Sequence, residues 1–170
     1  QIQHLAGFYR DYIDAIRRLS PKGDNARIAL LTPGPYNETY FEHTYLARYL
    51  GISLVEGNDL TVRNNKVFLK TVNGLEPIDG LIRRTDDQWL DPLELREDSQ
   101  LGVPGLMQSI RTGGVVMANM PGAGWLESPA IHGFMPGLGK HYLNEELLLP
   151  SVPSWWCGES PAWAQASERL

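Results

Sequence analysis

Four short polar clusters hold the residues of this chain best suited to chemistry. They are Thr32-Pro33-Gly34-Pro35-Tyr36-Asn37-Glu38, Glu56-Gly57-Asn58-Asp59, Arg83-Arg84-Thr85-Asp86-Asp87 and Asn119-Met120-Pro121-Gly122-Ala123-Gly124. Each follows a short apolar run of strand type. The first joins a proline-restricted turn to an expected helix start at Asn37. Backbone N–H groups and the helix dipole favour an anion there, although an ordinary strand-to-helix connection uses the same residues. Arg83 and Arg84 are able to fork onto a carboxylate or phosphate, or to pair with Asp86, Asp87 or Asp91. Asp86, Asp87, Asp91 and Glu94 offer hard oxygens of the kind Mg²⁺ takes, and equally suit a solvated loop. The substrate-contact candidates are Asn37, Glu38, Glu56, Arg83, Arg84 and Asn119. Adjacent residues on a strand point to opposite faces. Arg84, nearer the loop, is therefore expected to meet the ligand, and Arg83 a carboxylate inside the domain.

Other motifs fail on spacing. Gly133 to Gly139-Lys140 has glycines one residue too far apart for a phosphate loop, with His141 where Ser or Thr should follow the lysine. Gly122-Ala123-Gly124 meets Glu127 where a dinucleotide fingerprint needs its third glycine. The histidines at 4, 43, 132 and 141 have no metal-ligand spacing, and Cys157 has no cysteine partner. His43, on a helix with Glu38 and Glu42, reads as a surface or capping residue. Trp155-Trp156-Cys157-Gly158 reads as an apolar anchor to a neighbouring domain. No metal or cofactor ligand set is expected in this chain.

The elements that must position these clusters alternate between helix and strand. Residues 4–19 show helical spacing, stopped at Ser20-Pro21-Lys22-Gly23. Residues 27–31 read as a buried central strand. A helix is expected from Asn37 to Leu50, with Tyr40, Phe41, Thr44, Tyr45 and Ala47 on its inner face and Gly51 as its stop. Strands are expected at 52–55, 78–84 and 115–119. Residues 60–72 form a hairpin around Arg63-Asn64-Asn65-Lys66, with a further turn at Asn73-Gly74. A short helix fits 103–111. Another opens at Ser128-Pro129 and runs to about Leu148, kinked or split at Pro136. This alternation argues a three-layer α/β domain with a mostly parallel sheet and an antiparallel hairpin at its edge. In such sheets ligands bind outside the carboxyl ends of the strands, where all four polar clusters fall.

Composition narrows the classes. The 170 residues carry Lys+Arg 15 and Asp+Glu 20, a net charge of −5. With a pI near 5.3, the chain lacks the basic footprint of a nucleic-acid binder. No apolar run reaches the ~18 residues of a membrane span. One cysteine in 170 residues suits a reducing, cytoplasmic setting. The chain opens at Gln1 inside a helical pattern, so a piece of a longer protein is expected.

Longer runs resemble a known family. They are Thr32-Pro-Gly-Pro-Tyr-Asn-Glu-Thr-Tyr-Phe-Glu-His43, Tyr45-Leu-Ala-Arg-Tyr-Leu-Gly51, Leu54-Val-Glu-Gly57 with Asp59-Leu-Thr-Val-Arg63, Arg83-Arg84, Asp91-Pro-Leu-Glu-Leu95, Leu101-Gly-Val-Pro-Gly-Leu106, Glu127-Ser-Pro129 and Trp155-Trp-Cys-Gly158. Together they resemble the bacterial circularly permuted ATP-grasp family, type 2, over roughly residues 5–160. That family is similar to glutathionylspermidine synthase and eukaryotic-type glutathione synthetase. Those enzymes activate a carboxylate as an acyl phosphate with ATP and Mg²⁺, and an amine displaces the phosphate. The resemblance implies a Rossmann-like, pre-ATP-grasp substrate domain, with the ATP-grasp segments and their ATP and Mg²⁺ ligands elsewhere in the polypeptide. With the helical spacing at the start and the Pro-, Ser- and Trp-rich tail, the chain is expected to divide into a docking helix (1–23), the Rossmann-like domain (24–149) and a connector (150–170) toward an ATP-grasp segment. Arg83 and Arg84 would clamp a carboxylate or acyl phosphate, with donors from the helix start at Asn37. Asn37, Glu38 and Glu56 would bind the amine side or orient the loops. Gln88-Trp89-Leu90 departs from the Phe-Cys stretch the family pattern has before Asp91-Pro-Leu-Glu-Leu95. The alternative is a binding or scaffolding module that keeps the fold without ligase chemistry.

Overall fold

Ile13 and Ile16 are the buried residues of the first helix, α1 (Ala6–Leu19), and Tyr12 packs beside them. Their spacing keeps them on one stripe of a 3.6-residue turn. The fold is described from a computed structural model, which covers residues 4–168. After α1 comes β1 (Ile28–Leu31), buried at all four positions. Helix α2 (Tyr40–Leu50) ends at Gly51, whose φ of 68° is a left-handed conformation that favours glycine. Then follow β2 (Ser53–Val55), β3 (Leu60–Arg63), β4 (Lys66–Thr71), β5 (Gly74–Ile78) and β6 (Gly80–Arg83). Helix α3 (Leu106–Arg111) and strand β7 (Val116–Ala118) complete this part.

Four strands form a parallel sheet in the order β2-β1-β6-β7. Helices α1 and α2 cover one face, where Ile13, Ile16 and Ala47 meet Ile28, Leu30 and Ile82. The other face packs Ala29, Leu31, Leu81 and Met117 against Leu60, Val67, Ile78 and Leu106 from the second sheet and α3. The fold class is thus α/β with a parallel sheet. The hairpin strands do not extend that sheet at its edge. They form a separate antiparallel sheet, β3-β4-β5, stacked on its face. The reason is burial, because Val67 and Ile78, at 0% and 1% exposure, are covered only if this sheet lies over the first.

The β3–β4 turn is Asn64-Asn65 with φ of 49° and 58°. Two positive φ values in a two-residue loop match the right-handed twist of the flanking strands, and asparagine tolerates them. No strand is expected at 74–77, where Pro77 interrupts the pattern, and Ile78, expected to open the 78–84 strand, instead ends β5, while β6 starts at Gly80. Pro77 lies within β5. It is tolerated there because β5 is an edge strand, where a missing N–H interrupts no ladder.

Two expectations about α2 change. The helix starts at Tyr40, not Asn37. Its inner face is His43, Leu46, Ala47 and Leu50, while Phe41 and Tyr45 are 79% and 61% exposed. Aromatic residues occur around most of this helix, so periodicity alone offered competing stripes, and packing on Leu30 and Ile82 selected one.

The chain divides into two compact units, Gln1–Met120 and Pro121–Leu170. The second contains 3-10 turns at Ala123–Glu127 and Pro129–Gly133, helix α4 (Met135–Leu143) and helix α5 (Ser160–Ser167). The helix expected from Ser128 is split as its proline required. Pro136 lies in the first turn of α4, where its missing N–H breaks no bond. It ends at Asn144 in the left-handed conformation, earlier than Leu148. Trp125, Ile131, Phe134, Leu138 and Trp156 line an open apolar cavity of about 310 Å³ within this unit. No helix among the described residues is long and apolar enough to cross a membrane.

Candidate functional site

Because β1, β2, β6 and β7 run parallel, their carboxyl ends share one edge of the sheet. Glu56 follows β2, the Thr32–Glu38 loop follows β1, Arg84 follows β6 and Asn119 follows β7. Neighbouring strands lie about 4.8 Å apart, so charge along the edge runs from acidic Glu56, through the β1 loop, to basic Arg84. Backbone pairing continues into the loops. Thr32 N donates to Val55 O at 2.9 Å, and Arg84 N donates to Leu31 O at 2.8 Å. Glu38 is exposed on the approach to α2, Asn37 and Glu56 are half-buried, and Arg84 and Asn119 are exposed.

The two arginines have different surroundings. Arg83 donates through Nε to Asn119 O at 3.0 Å and through one terminal nitrogen to Thr85 O at 2.8 Å. It also pairs with Asp87 at 2.6 Å, and its side chain is 11% exposed. It therefore ties the end of β6 to the end of β7. Arg84 shares strand parity with Ile82, which faces α1 and α2. Its charge reaches both helices. Burial raises the Tyr12 phenol, and the Arg84 guanidinium opposes that rise.

Beneath the β1 loop lies a hydrogen-bonded relay. Gly34 N donates to Thr32 Oγ1 at 3.2 Å, and Thr32 Oγ1 lies 2.9 Å from His43 Nδ1. His43 Nε2 lies 3.0 Å from Thr39 Oγ1, which donates to Asn37 Oδ1 at 2.6 Å. Asn37 Oδ1 also accepts from Thr39 N at 2.9 Å. The single Thr39 hydroxyl proton goes to Asn37, so Nε2 must donate to Thr39. In a neutral imidazole Nδ1 then accepts, and Thr32 donates to it. His43 is 4% exposed, which corrects the surface reading. The sequence names Thr32 only as part of the first polar cluster, and does not single out Thr39. The available signal was the i, i+4 spacing of Thr39, His43 and Ala47, which puts them on one helix face.

Burial, then the Arg84 charge, holds His43 below the ordinary histidine range, against a smaller opposing pull from Glu42. A lowered folded-state pKa means that the unfolded chain binds the proton more tightly. The His43 contribution to stability is therefore full above the unfolded value and is lost as pH falls below it. Urea midpoints should fall as pH drops from 7 toward 5.5, and His43→Gln should flatten that slope. Equal slopes would show that His43 is not the titrating group.

A family model described as circularly permuted ATP-grasp type 2 matches residues 1–170. The chain belongs to that family. It is 40% identical over 157 residues to Uncharacterized protein sll0335 of Synechocystis sp., covering 92% of this chain and 33% of that protein. It is 43% identical over 130 residues to Uncharacterized protein Rv2411c of Mycobacterium tuberculosis, covering 76% and 24%. Uncharacterized protein Rv2567 of the same organism is 42% identical over 131 residues, covering 77% and 15%. The chain thus spans about a third or less of the length of these curated relatives.

ATP-grasp chemistry implies ATP and Mg²⁺, so the fit of this chain's residues matters. Three of the four carboxylates suited to Mg²⁺ are already engaged, and the fourth, Asp86, stands exposed. Asp87 pairs with Arg83, Glu94 with Arg111, and Asp91 accepts three backbone N–H groups. Among the described residues no group of three His, Cys, Asp or Glu is disposed to hold a metal. Gly137, Gly139 and Lys140 lie inside α4, so they form no phosphate loop. Among the described residues, then, neither a three-ligand metal group nor a phosphate loop at 133–140 is formed.

Two of the family-like runs, with the Trp89-Leu90 segment, have a shared structural task. A Cβ on Gly57 would lie 2.3 Å from Leu101 O, and one on Gly102 would lie 2.3 Å from Trp89 O. The Leu101-Gly102 backbone is therefore sandwiched between Gly57 and Trp89-Leu90, which braces the loop beside Glu56. Gly102→Ala must displace backbone and should cost about 1–3 kcal/mol. Gly51→Ala, where the added methyl meets nothing within 4 Å, should cost less, about 1 kcal/mol from its left-handed φ. Chemical denaturation of both variants checks the order, and the reverse order would remove the bracing role.

Proposed function

We propose that this chain is the substrate-binding part of an ATP-dependent carboxylate–amine ligase. The observation that carries the reading is the shared carboxyl edge, where Arg84 stands exposed between the β1 loop and Asn119 while Arg83 is held by its own domain. A fixed acceptor at this edge would turn attack by an amine on an activated carboxylate into an effectively unimolecular step. Arg84 would stabilise the carboxylate or its acyl phosphate. ATP and Mg²⁺ would be held by ATP-grasp segments of the same polypeptide, consistent with relatives of which this chain spans about a third or less. The substrates would be small molecules, and the setting a reducing bacterial cytoplasm, where exposed Cys157 stays a thiol.

The test is phosphate release by the full-length protein with ATP, Mg²⁺ and a panel of carboxylates and amines. Release that requires one member of each class is the expected result. Release that needs neither, or none across the panel, would overturn the ligase reading. The 170-residue chain by itself should bind Mg·ATP poorly. Isothermal titration that gave a low-micromolar Kd would relocate the nucleotide site into this chain.

A further inference from the structure

We infer that His43 and Thr39 are positioning residues that fix the polarity of Asn37, so that the β1 loop and Arg84 receive the substrate's carboxylate rather than its amine. The inference rests on the ligase reading for the identity of the substrate, and on the relay for the orientation. It refines the expectation that Asn37 serves the amine side.

The argument begins with a donor that has no choice. Thr39 N–H can only donate, and it lies 2.9 Å from the Asn37 side-chain atom that also receives the Thr39 hydroxyl at 2.6 Å. That atom must be Oδ1. Asn37 Nδ2 therefore lies on the other side of the carboxamide, and no protein acceptor for it occurs among the described residues. The half-buried side chain keeps two N–H donors available. The relay is directional throughout, since every donor from Gly34 N–H to the Thr39 hydroxyl points toward Asn37. Reversing the carboxamide would set Nδ2 against Thr39 N–H, donor against donor. His43 supports this direction by donating Nε2–H to Thr39 Oγ1, which turns the Thr39 hydroxyl proton onto Asn37 Oδ1.

An available amide donor and a guanidinium select an anionic oxygen over an ammonium. The charge count selects carboxylate over phosphate. Arg83 is consumed by Asp87, Thr85 O and Asn119 O, which leaves Arg84 as the one free cation among the described residues following the four strand ends. Glu56 and Glu38 add negative charge nearby. The Glu56 carboxyl lies against Gly34, close enough that a Cβ there would stand 3.2 Å from it. One guanidinium balances a monoanion but not a phosphate dianion in that surrounding. The ammonium end of a substrate would fall toward Glu56.

Nuclear magnetic resonance of the ¹⁵N-labelled 170-residue chain tests this directly. His43 should show protonated Nε2 and unprotonated Nδ1 at pH 7, and the opposite tautomer would overturn the relay. Sodium acetate should shift the Asn37 side-chain amide and Arg84 Nε resonances. Methylammonium chloride and inorganic phosphate at matched ionic strength should shift them less. Thr39→Val removes only the hydroxyl link, and Thr39 makes no side-chain cap to α2. It leaves the Thr39 N–H bond to Oδ1 in place and should weaken the acetate response several-fold, the worth of one neutral hydrogen bond that steadies the carboxamide. His43→Leu should do the same, and His43→Gln, which retains a donor and an acceptor, should recover part of it. Asn37→Asp keeps both bonds from Thr39 and should abolish the acetate response with the fold intact. An equal acetate response in wild type, Thr39→Val and Asn37→Asp would overturn the inference, as would a larger response to methylammonium or phosphate. If acetate behaves as expected while full-length Thr39→Val keeps normal phosphate release and KM, the orientation stands and the ligase reading fails.

Discussion

Asp91→Ala should cost this chain about 3–5 kcal/mol, enough to lower the melting temperature by roughly 6–20 °C. Asp91 is 0% exposed. Its Oδ1 accepts from Leu93 N at 2.9 Å and Gly105 N at 3.1 Å, and its Oδ2 accepts from Met107 N at 3.0 Å. Met107 lies in the first turn of α3, whose N–H groups have no partner within the helix. The carboxylate thus holds the entry to α3 against the segment that follows β6, and favours the positive end of the helix dipole. Alanine leaves three N–H groups without their acceptor at a site with little access to water. Asp91→Asn is the sharper probe. It can keep both Oδ1 bonds but turns an NH₂ toward Met107 N–H, so it should lose roughly half as much. Urea titrations with unchanged m-values would measure both losses as stability. A loss under 1 kcal/mol for alanine would show that water replaces the carboxylate.

Under the proposed ligase function, Arg84→Ala should lower turnover of the full-length protein by about one to two decades, the worth of one charge-assisted contact of roughly 1.5–3 kcal/mol. Its melting temperature should hardly change, since the side chain is exposed. Arg83→Ala should do the reverse. It removes donors from Asn119 O and Thr85 O and leaves Asp87 without its cation. Asp87 retains partial access to solvent, which moderates the penalty to about 2–3 kcal/mol. Steady-state rates and thermal melts on the two variants separate these roles. Reversed phenotypes would exchange the two assignments, and small equal effects would remove the substrate from this strand.

Arg83 and Arg84 were separable in the sequence because strand alternation is local. Once 80–83 is a strand, adjacent side chains leave opposite faces. The carboxyl edge was legible for a similar reason. Apolar runs at 27–31, 52–55, 78–82 and 115–118 alternate with helical patterns, and parallel strands must end together. The Asn64-Asn65 turn was legible from its residue types. His43 was not. A histidine flanked by Glu42 and Thr44 looks like a surface residue, and nothing local shows that Thr32 will lie 2.9 Å from it. That contact joins the end of β1 to the second turn of α2, and only the packing of α2 on Leu30 and Ile82 creates it. The placement of the 60–78 strands was likewise hidden. Their sequence specifies hairpin pairing, but burial of Val67 and Ile78 decides that they form their own sheet on the face of the first. Asp91 looked available for a metal because a carboxylate's partners, here the N–H groups of Gly105 and Met107, lie 14 and 16 residues away. Sequence by itself determined most of the elements, the strand directions and the edge that gathers the polar residues, because these follow from short-range periodicity and chain connectivity. The tertiary structure decided which of those residues remain free for a ligand, because that depends on long-range partners that remove Arg83, Asp87 and Asp91 and leave Arg84 and the Asn37 amide available.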